Sequence, residues 1–146
     1  MRTLALLLTL AACSSDKASP LAEAARACAH HPDMSCAVPI VNVRELQAAQ
    51  RYYREQLGFK LDWEHGEPPD FASVSRGQAR LFMCEGCQGV PGAWMMVFVE
   101  SVDVLHEELV RRKALVRMSP KDMPWGLREM HVADPYGNVI RFGSAR

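Results

Sequence analysis

Met123-Pro124-Trp125-Gly126-Leu127-Arg128-Glu129, running on towards Asp134-Pro135-Tyr136-Gly137-Asn138, joins a flat aromatic ring to a strand and a tight turn. Pro124 restricts the backbone before Trp125 and Gly126 frees it afterwards, a combination that presents a ring from the mouth of a loop. Met130 and Val132 alternate ahead of the Asp-Pro-x-Gly-Asn turn, and Val139, Ile140 and Phe142 follow it. The pattern predicts a terminal β-hairpin. A tryptophan placed like Trp125 either plugs a core or lines a cleft, and the rest of the chain has to decide between them.

Upstream of that hairpin, residues 95–99 read as a strand. Val102, Leu105 and Leu109 mark one helical face, and strands are expected near residues 115–118, 127–133 and 138–142. Met95, Met96 and Phe98 are expected to alternate between core and cleft. The same succession occurs earlier. Residues 38–43 form a strand, with Pro39 suited to an edge or a strand start. Leu46, Ala49, Tyr53 and Leu57 share a helical face closed by Gly58. Strands at 59–63, 71–75 and 79–84 follow, split by the Gly66-Glu67-Pro68-Pro69 loop and the Arg76-Gly77 turn. Laying Val43-Arg44-Glu45-Leu46 on Val99-Glu100-Ser101-Val102 keeps both helical faces in phase, so the fold class is α+β, with two tandem β-α-β-β-β modules. Neither half buries both sides of its own sheet. Packed edge to edge, the halves would form a cupped mixed sheet with an interior.

The chain has 146 residues, 49% of them hydrophobic, enough for one core and one main domain at 37–146. Its 17 basic residues balance 17 acidic ones, which argues against a nucleic-acid partner, since that would call for a basic stripe.

Residues 1–12 read as an export signal: Arg2 is the basic start, Leu4 to Leu10 the apolar run, and small residues lead to Cys13. The run is shorter than the roughly 20 residues a membrane-spanning helix needs. Leu10-Ala11-Ala12-Cys13 resembles the lipobox of bacterial lipoproteins, in which the Cys becomes the acylated first residue. Cys13 is thus the expected lipidation site and residues 13–36 a tether. Ser14 in the next position implies a place in the cell envelope at the outer membrane, facing the periplasm. In that oxidising setting Cys28, Cys36, Cys84 and Cys87 can form two disulfides, with three connectivities open, Cys28–Cys36 and Cys84–Cys87 being the local options. Cys84-Glu85-Gly86-Cys87 also looks like a thiol redox motif, but such motifs act from a helix start, and this one ends a strand. Cys28, His30, His31 and Cys36 match no compact zinc spacing.

With the elements placed, a set of motifs resembles the bleomycin resistance proteins. They are Ala37-Val38-Pro39-Ile40, the helix ending Tyr52-Tyr53-Arg54-Glu55-Gln56-Leu57-Gly58-Phe59, Pro124-Trp125-Gly126, Arg128-Glu129 and Asp134-Pro135-Tyr136-Gly137-Asn138. These proteins belong to the glyoxalase I/bleomycin resistance/extradiol dioxygenase (vicinal oxygen chelate) superfamily, and the likeness spans about residues 37 to 144. It implies homodimers whose clefts stack the flat bithiazole tail of a glycopeptide between aromatic rings. Trp63, Phe71 and Trp125, with Gly126 beside the last, match the aromatic binding positions. Asp62, Glu64, Glu67 and Asp70 flank them and could meet a cationic tail, Asp62 and Asp70 most directly. Pro39 matches the point where an N-terminal arm crosses to the partner subunit, implying an arm-exchanged dimer.

The superfamily's enzymes bind a divalent metal at fixed strand positions, which fall here on Val38, Trp94 and Arg141, with no carboxylate in strand 79–84 before Glu85. Val38 and Trp94 are not ligands, and Arg141 would repel a cation. The expectation is therefore a binding protein without catalytic residues, cofactor or metal, sequestering a planar cationic drug or metabolite. The alternative is a divergent metal-dependent lyase or dioxygenase recruiting Glu85, His131 or His65.

Overall fold

The computed structural model describes residues 36–145; the export signal, Cys13, the tether and Cys28 lie outside the described residues. The element order is β1 (Ile40–Val43), α1 (Leu46–Glu55), β2 (Lys60–Gly66), β3 (Pro69–Arg76), β4 (Ala79–Glu85), β5 (Trp94–Phe98), α2 (Val102–Arg111), β6 (Leu115–Asp122), β7 (Leu127–Ala133) and β8 (Val139–Ala145). The order is β-α-β-β-β, repeated. Each module makes its own four-stranded mixed sheet, ordered β1-β4-β3-β2 and β5-β8-β7-β6, with the first and last strands parallel. The expected cup is thus built from two hydrogen-bonded sheets and not from one continuous sheet.

The helices form where apolar spacing is helical, and their ends are satisfied in different ways. In α2, Ser101 accepts from Val104 N at 3.3 Å, Asp103 lies in the first turn and Arg111 in the last, the pattern expected of a capped helix. Glu45 offers α1 no side-chain cap. Glu85 Oε2 replaces it from the end of β4, accepting from Leu46 N at 2.7 Å. Gly58, at φ +71°, ends α1 in the left-handed region, where a Cβ would come within 2.9 Å of Arg76 Nη1.

One face of each sheet carries its helix and the core. Val41, Val43, Ala72, Val74, Leu81 and Met83 bury against α1, and Met130, Val132, Ile140 and Phe142 do the same in the second module. Tyr53, Leu57, Leu46 and Leu109 are almost completely buried in the same core. The opposite faces are open. There Met96 and Phe98 are exposed while Met95 packs on the core, as the alternation predicted.

The strand ends differ from expectation for definable reasons. β6 continues past Met118 through Pro120 because it is an edge strand and a register irregularity between Met118 and Lys121 accommodates a residue without an N–H. Pro39 precedes β1, and its carbonyl accepts from Phe82 N at 2.9 Å, at the start of the β1–β4 pairing.

The modules are joined by polar contacts of the Asp134-Pro135-Tyr136-Gly137-Asn138 turn. Asp134, 2% exposed, accepts from Tyr136 N (2.8 Å), Asn138 N (2.9 Å), Asn138 Nδ2 (2.8 Å) and the Tyr53 hydroxyl of the first module (3.3 Å). Asn138 Nδ2 also donates to Asn42 O at 3.1 Å, and the Tyr52 hydroxyl donates to Ala133 O at 2.7 Å. Asp134→Ala leaves these donors buried and unmet, and is expected to cost about 3 kcal/mol, read as a lowered urea midpoint. Burial, reinforced by Asp134, raises the Tyr53 hydroxyl well above the ordinary 10.0. Its stabilising contribution is complete below pH 10 and disappears as pH rises through the folded value, so wild type is expected to lose stability at alkaline pH more steeply than Tyr53→Phe.

Candidate functional site

On the open face of the first sheet, Phe71, Ser73 and Ser75 of β3 lie beside Cys84, Phe82 and Arg80 of β4. Regular alternation would place Trp63 on the core side with Leu61. A bulge between them changes that: Leu61 pairs with Val74 and Trp63 with Ser73, so Asp62 and Trp63 both turn to the open face. The result is a triangle of rings. Trp63 lies 5.8 Å from Phe71 and 5.3 Å from Phe82, and Phe71 lies 5.6 Å from Phe82, each pair tilted and each ring partly exposed. Phe82 was missed in the sequence because it reads as one more apolar residue of a buried strand. The signal in the sequence was its place two residues from polar Arg80, in phase with it on an alternating strand.

The acidic residues are not equivalent. Asp62 accepts from Ser73 (3.1 Å) and Ser75 (2.7 Å) and pairs with Lys60 and Arg80, so its carboxylate braces the bulge and is not free to meet a ligand. Glu64 turns to the helix side and accepts from Gln50 Nε2 at 2.9 Å. Glu67 and Asp70 are exposed at the β2–β3 turn, next to Phe71.

The second open face is organised around Trp125. The turn from β6 to β7 is closed by Met123 N donating to Leu127 O (2.8 Å) and Gly126 N to Met123 O (3.1 Å), with Gly126 at φ +87°. This leaves the indole 57% exposed. Its Nε1 donates to Glu129 Oε1 at 2.6 Å, while Arg141 donates to Glu129 Oε2 from Nε (2.9 Å) and Nη2 (2.5 Å). The Arg141 guanidinium carbon also stands 5.5 Å from the Trp125 ring centroid. Burial pushes the fully buried Glu129 carboxyl up, but hydrogen bonds from Trp125 and Arg141 outweigh it and hold the group below the ordinary 4.5. Burial, then Arg141, lowers the imidazole of His131, against which Trp94 packs edge-on at 5.2 Å. Among the described residues, no ring contact joins Trp125 to Trp63 or Phe71.

The residues do not fit the divalent metal of the superfamily's enzymes. Val38 precedes β1, Trp94 is exposed on β5, and Arg141 is ion-paired to Glu129. The parallel pairings identify the fourth position. Phe82 lies opposite Ile40 as Arg141 lies opposite Met96, and the offset carrying Leu46 onto Val102 also carries Ile40 onto Met96. The first module's counterpart of Arg141 is therefore Phe82, which has no donor atom. Glu85 caps α1, His65 is on β2 opposite Phe71, and His131 is on β7, so the alternative ligands do not converge. Among the described residues no three His, Cys, Asp or Glu side chains cluster as a metal site.

Cys84 and Cys87 are joined in a disulfide with Cα atoms 5.7 Å apart, and Cys36 is also disulfide-bonded. A cavity of about 780 Å³ lies between the β3–β4 turn and the start of α2; Phe98 lines it, and none of Trp63, Phe71, Trp125, Asp62 and Asp70 does.

Residues 27–146 match the family model described as glyoxalase superfamily protein. Among solved structures, the bleomycin-binding protein of bleomycin-producing Streptomyces verticillus, complexed with copper(II)-bleomycin, is 30% identical, covers 75% of this chain and 95% of its own, and superposes with a TM-score of 0.61. TioX from Micromonospora sp. ML1 is 19% identical over 76% of this chain and 100% of its own (TM-score 0.65). Lactoylglutathione lyase from Agrobacterium tumefaciens is 16% identical over 78% and 96% (TM-score 0.64). At those identities the last two show likeness of fold alone. No curated protein sequence matches significantly.

Because Glu129 has a depressed pKa in the folded protein, its contribution to stability is present above 4.5 and is lost as pH falls through the folded value. Urea midpoints measured downward from pH 5 should therefore fall less steeply for Glu129→Gln than for wild type.

Proposed function

Because the chain belongs to the glyoxalase superfamily, a fold that hosts both enzymes and proteins that only bind, we propose that it is a binding protein. It sequesters a bleomycin-type glycopeptide or a similar planar, cationic ligand. The observation that carries this reading is the partly exposed triangle of Trp63, Phe71 and Phe82 on a sheet face whose metal-ligand positions are filled by non-ligands. Sequestration requires no general acid or base. It requires flat apolar surface with a few charges at its rim, each stacked ring adding about 0.5–1.5 kcal/mol beyond its buried area. Glu67 and Asp70, exposed beside Phe71, supply the acidic rim for a cationic tail, a function Asp62 cannot share while it braces the bulge.

Trp125 completes the site in this reading through a homodimer. Ile40, Trp94, Met96 and Phe98 expose large apolar side chains on the edge strands β1 and β5, a surface that a second copy would cover. The dimer brings the Trp125 face of one subunit towards the Trp63 face of the other. Lipidation at Cys13 would tether the pair in the bacterial cell envelope, facing the periplasm, so that binding intercepts the ligand before it enters the cytoplasm.

Calorimetric titration of the full chain in mild detergent with metal-free and copper-loaded bleomycin tests the proposal. One drug per subunit is expected, with Trp125→Ala weakening affinity by about tenfold or more and leaving the dimer intact. Absence of binding, together with stoichiometric metal retained after dialysis, would replace sequestration with a metalloenzyme.

A further inference from the structure

We propose that Glu129 is a positioning residue. Through its hydrogen bond to Trp125 and its ion pair with Arg141 it fixes the indole as a stacking platform with one face free, and that face selects neutral planar rings over cationic ones. The inference rests on the reading that the chain binds a planar ligand, and adds which ring stands on Trp125.

A tryptophan on a turn, more than half exposed, would ordinarily sample several rotamers, and a mobile ring must be ordered when a ligand stacks on it. Here the indole is held before any ligand arrives. Its N–H points inward to a carboxylate that is 0% exposed and has both oxygens engaged, one by the indole and one by two nitrogens of Arg141. Glu129 sits opposite Gly143 on β8, where an added Cβ would lie in ordinary contact, 3.7 Å, with Glu129 Cγ and would displace the flexible end of Met96. Stability alone gives little reason for this arrangement, because a buried ion pair is often no more stabilising than apolar side chains of the same size. Apolar replacements would fill the volume, but they would leave Trp125 Nε1 without an acceptor.

Selectivity follows from Arg141. Its guanidinium lies over the Trp125 ring, so one cation already interacts with that π system. A second cation on the opposite face would meet a depleted π cloud and the repulsion of Arg141, only part of which Glu129 cancels. A neutral ring suffers neither.

The experiment uses the full chain in mild detergent and follows the Trp125 indole proton by NMR, identified as the resonance missing from Trp125→Phe. In the free protein this proton should exchange slowly with solvent. The paired variant Glu129→Leu/Arg141→Met, which removes both charges together and so leaves no unpaired buried ion, should speed exchange at least tenfold. Glu129→Gln, which keeps an acceptor for the indole, should restore slow exchange. With 2-phenylthiazole and its N-methylthiazolium cation as probes, the neutral ring should shift the resonance at a concentration roughly fivefold lower, and Arg141→Met should remove the preference. Unchanged exchange in a folded paired variant overturns the positioning role, and equal or reversed preference overturns the selectivity. Failure of bleomycin to bind a protein that still shows slow exchange and the ring preference would remove the glycopeptide reading and leave this inference standing.

Discussion

The carboxylate of Asp134 is the constraint on which the arrangement of the two modules depends. It sits at the end of β7 with almost no solvent contact and meets two backbone N–H groups and one amide of its own turn, plus a tyrosine hydroxyl from α1. A buried carboxylate with no partners would be severely destabilising. With four donors it becomes a point that all its partners must satisfy at once. Asn138 extends the network to Asn42 within β1, and to Gly92 N and Ala93 N ahead of β5. The β7–β8 turn thereby holds the first strand of one module and the approach to the first strand of the other. The two open faces inherit their relative placement from a group that touches neither of them.

The duplication was legible because it depends on periodicity. Leu46, Ala49 and Tyr53 and then Val102, Leu105 and Leu109 repeat one helical face, and both helices begin where that phase places them. The Asp-Pro-x-Gly-Asn turn was legible too, because only a few residue types accept such a backbone and bond to it. Trp125 on an exposed turn followed from Pro124 and Gly126. Less legible was anything decided across strands. The bulge at Asp62 reverses the phase of β2, so a reading by alternation could not have placed Trp63 and Asp62 on one face. Nor could it show that Asp62 would be taken up by Ser73 and Ser75, because those hydroxyls come from a neighbouring strand. Phe82 was hidden for the same reason, since a strand buried on one side and one lining a cleft can have equally apolar sequences.

The charges on both open faces follow a common rule: those close to the rings are paired internally, and those left free stand at the rim. Asp62 is matched by Arg80 and Lys60, and Glu129 by Arg141. Glu67 and Asp70 lie exposed at the hairpin tip. An unpaired ion beside a stacking surface would lose hydration whenever a flat ligand covered it, a penalty that grows as the local dielectric falls. Pairing beforehand removes that penalty, because the partner goes under the ligand together with the charge. On the proposed reading, a ring would desolvate the face while the charged part of the same molecule is met at the edge, where water still screens it. The same pairing accommodates Arg141, a non-ligand at one of the positions where the superfamily's enzymes hold a metal, without leaving an unpaired charge. Where an enzyme's last strand would bring a carboxylate to a cation, Arg141 brings the cation to a carboxylate already buried on β7. The local charge balance survives the exchange, and the side chain that gains a fixed position from it is the indole of Trp125.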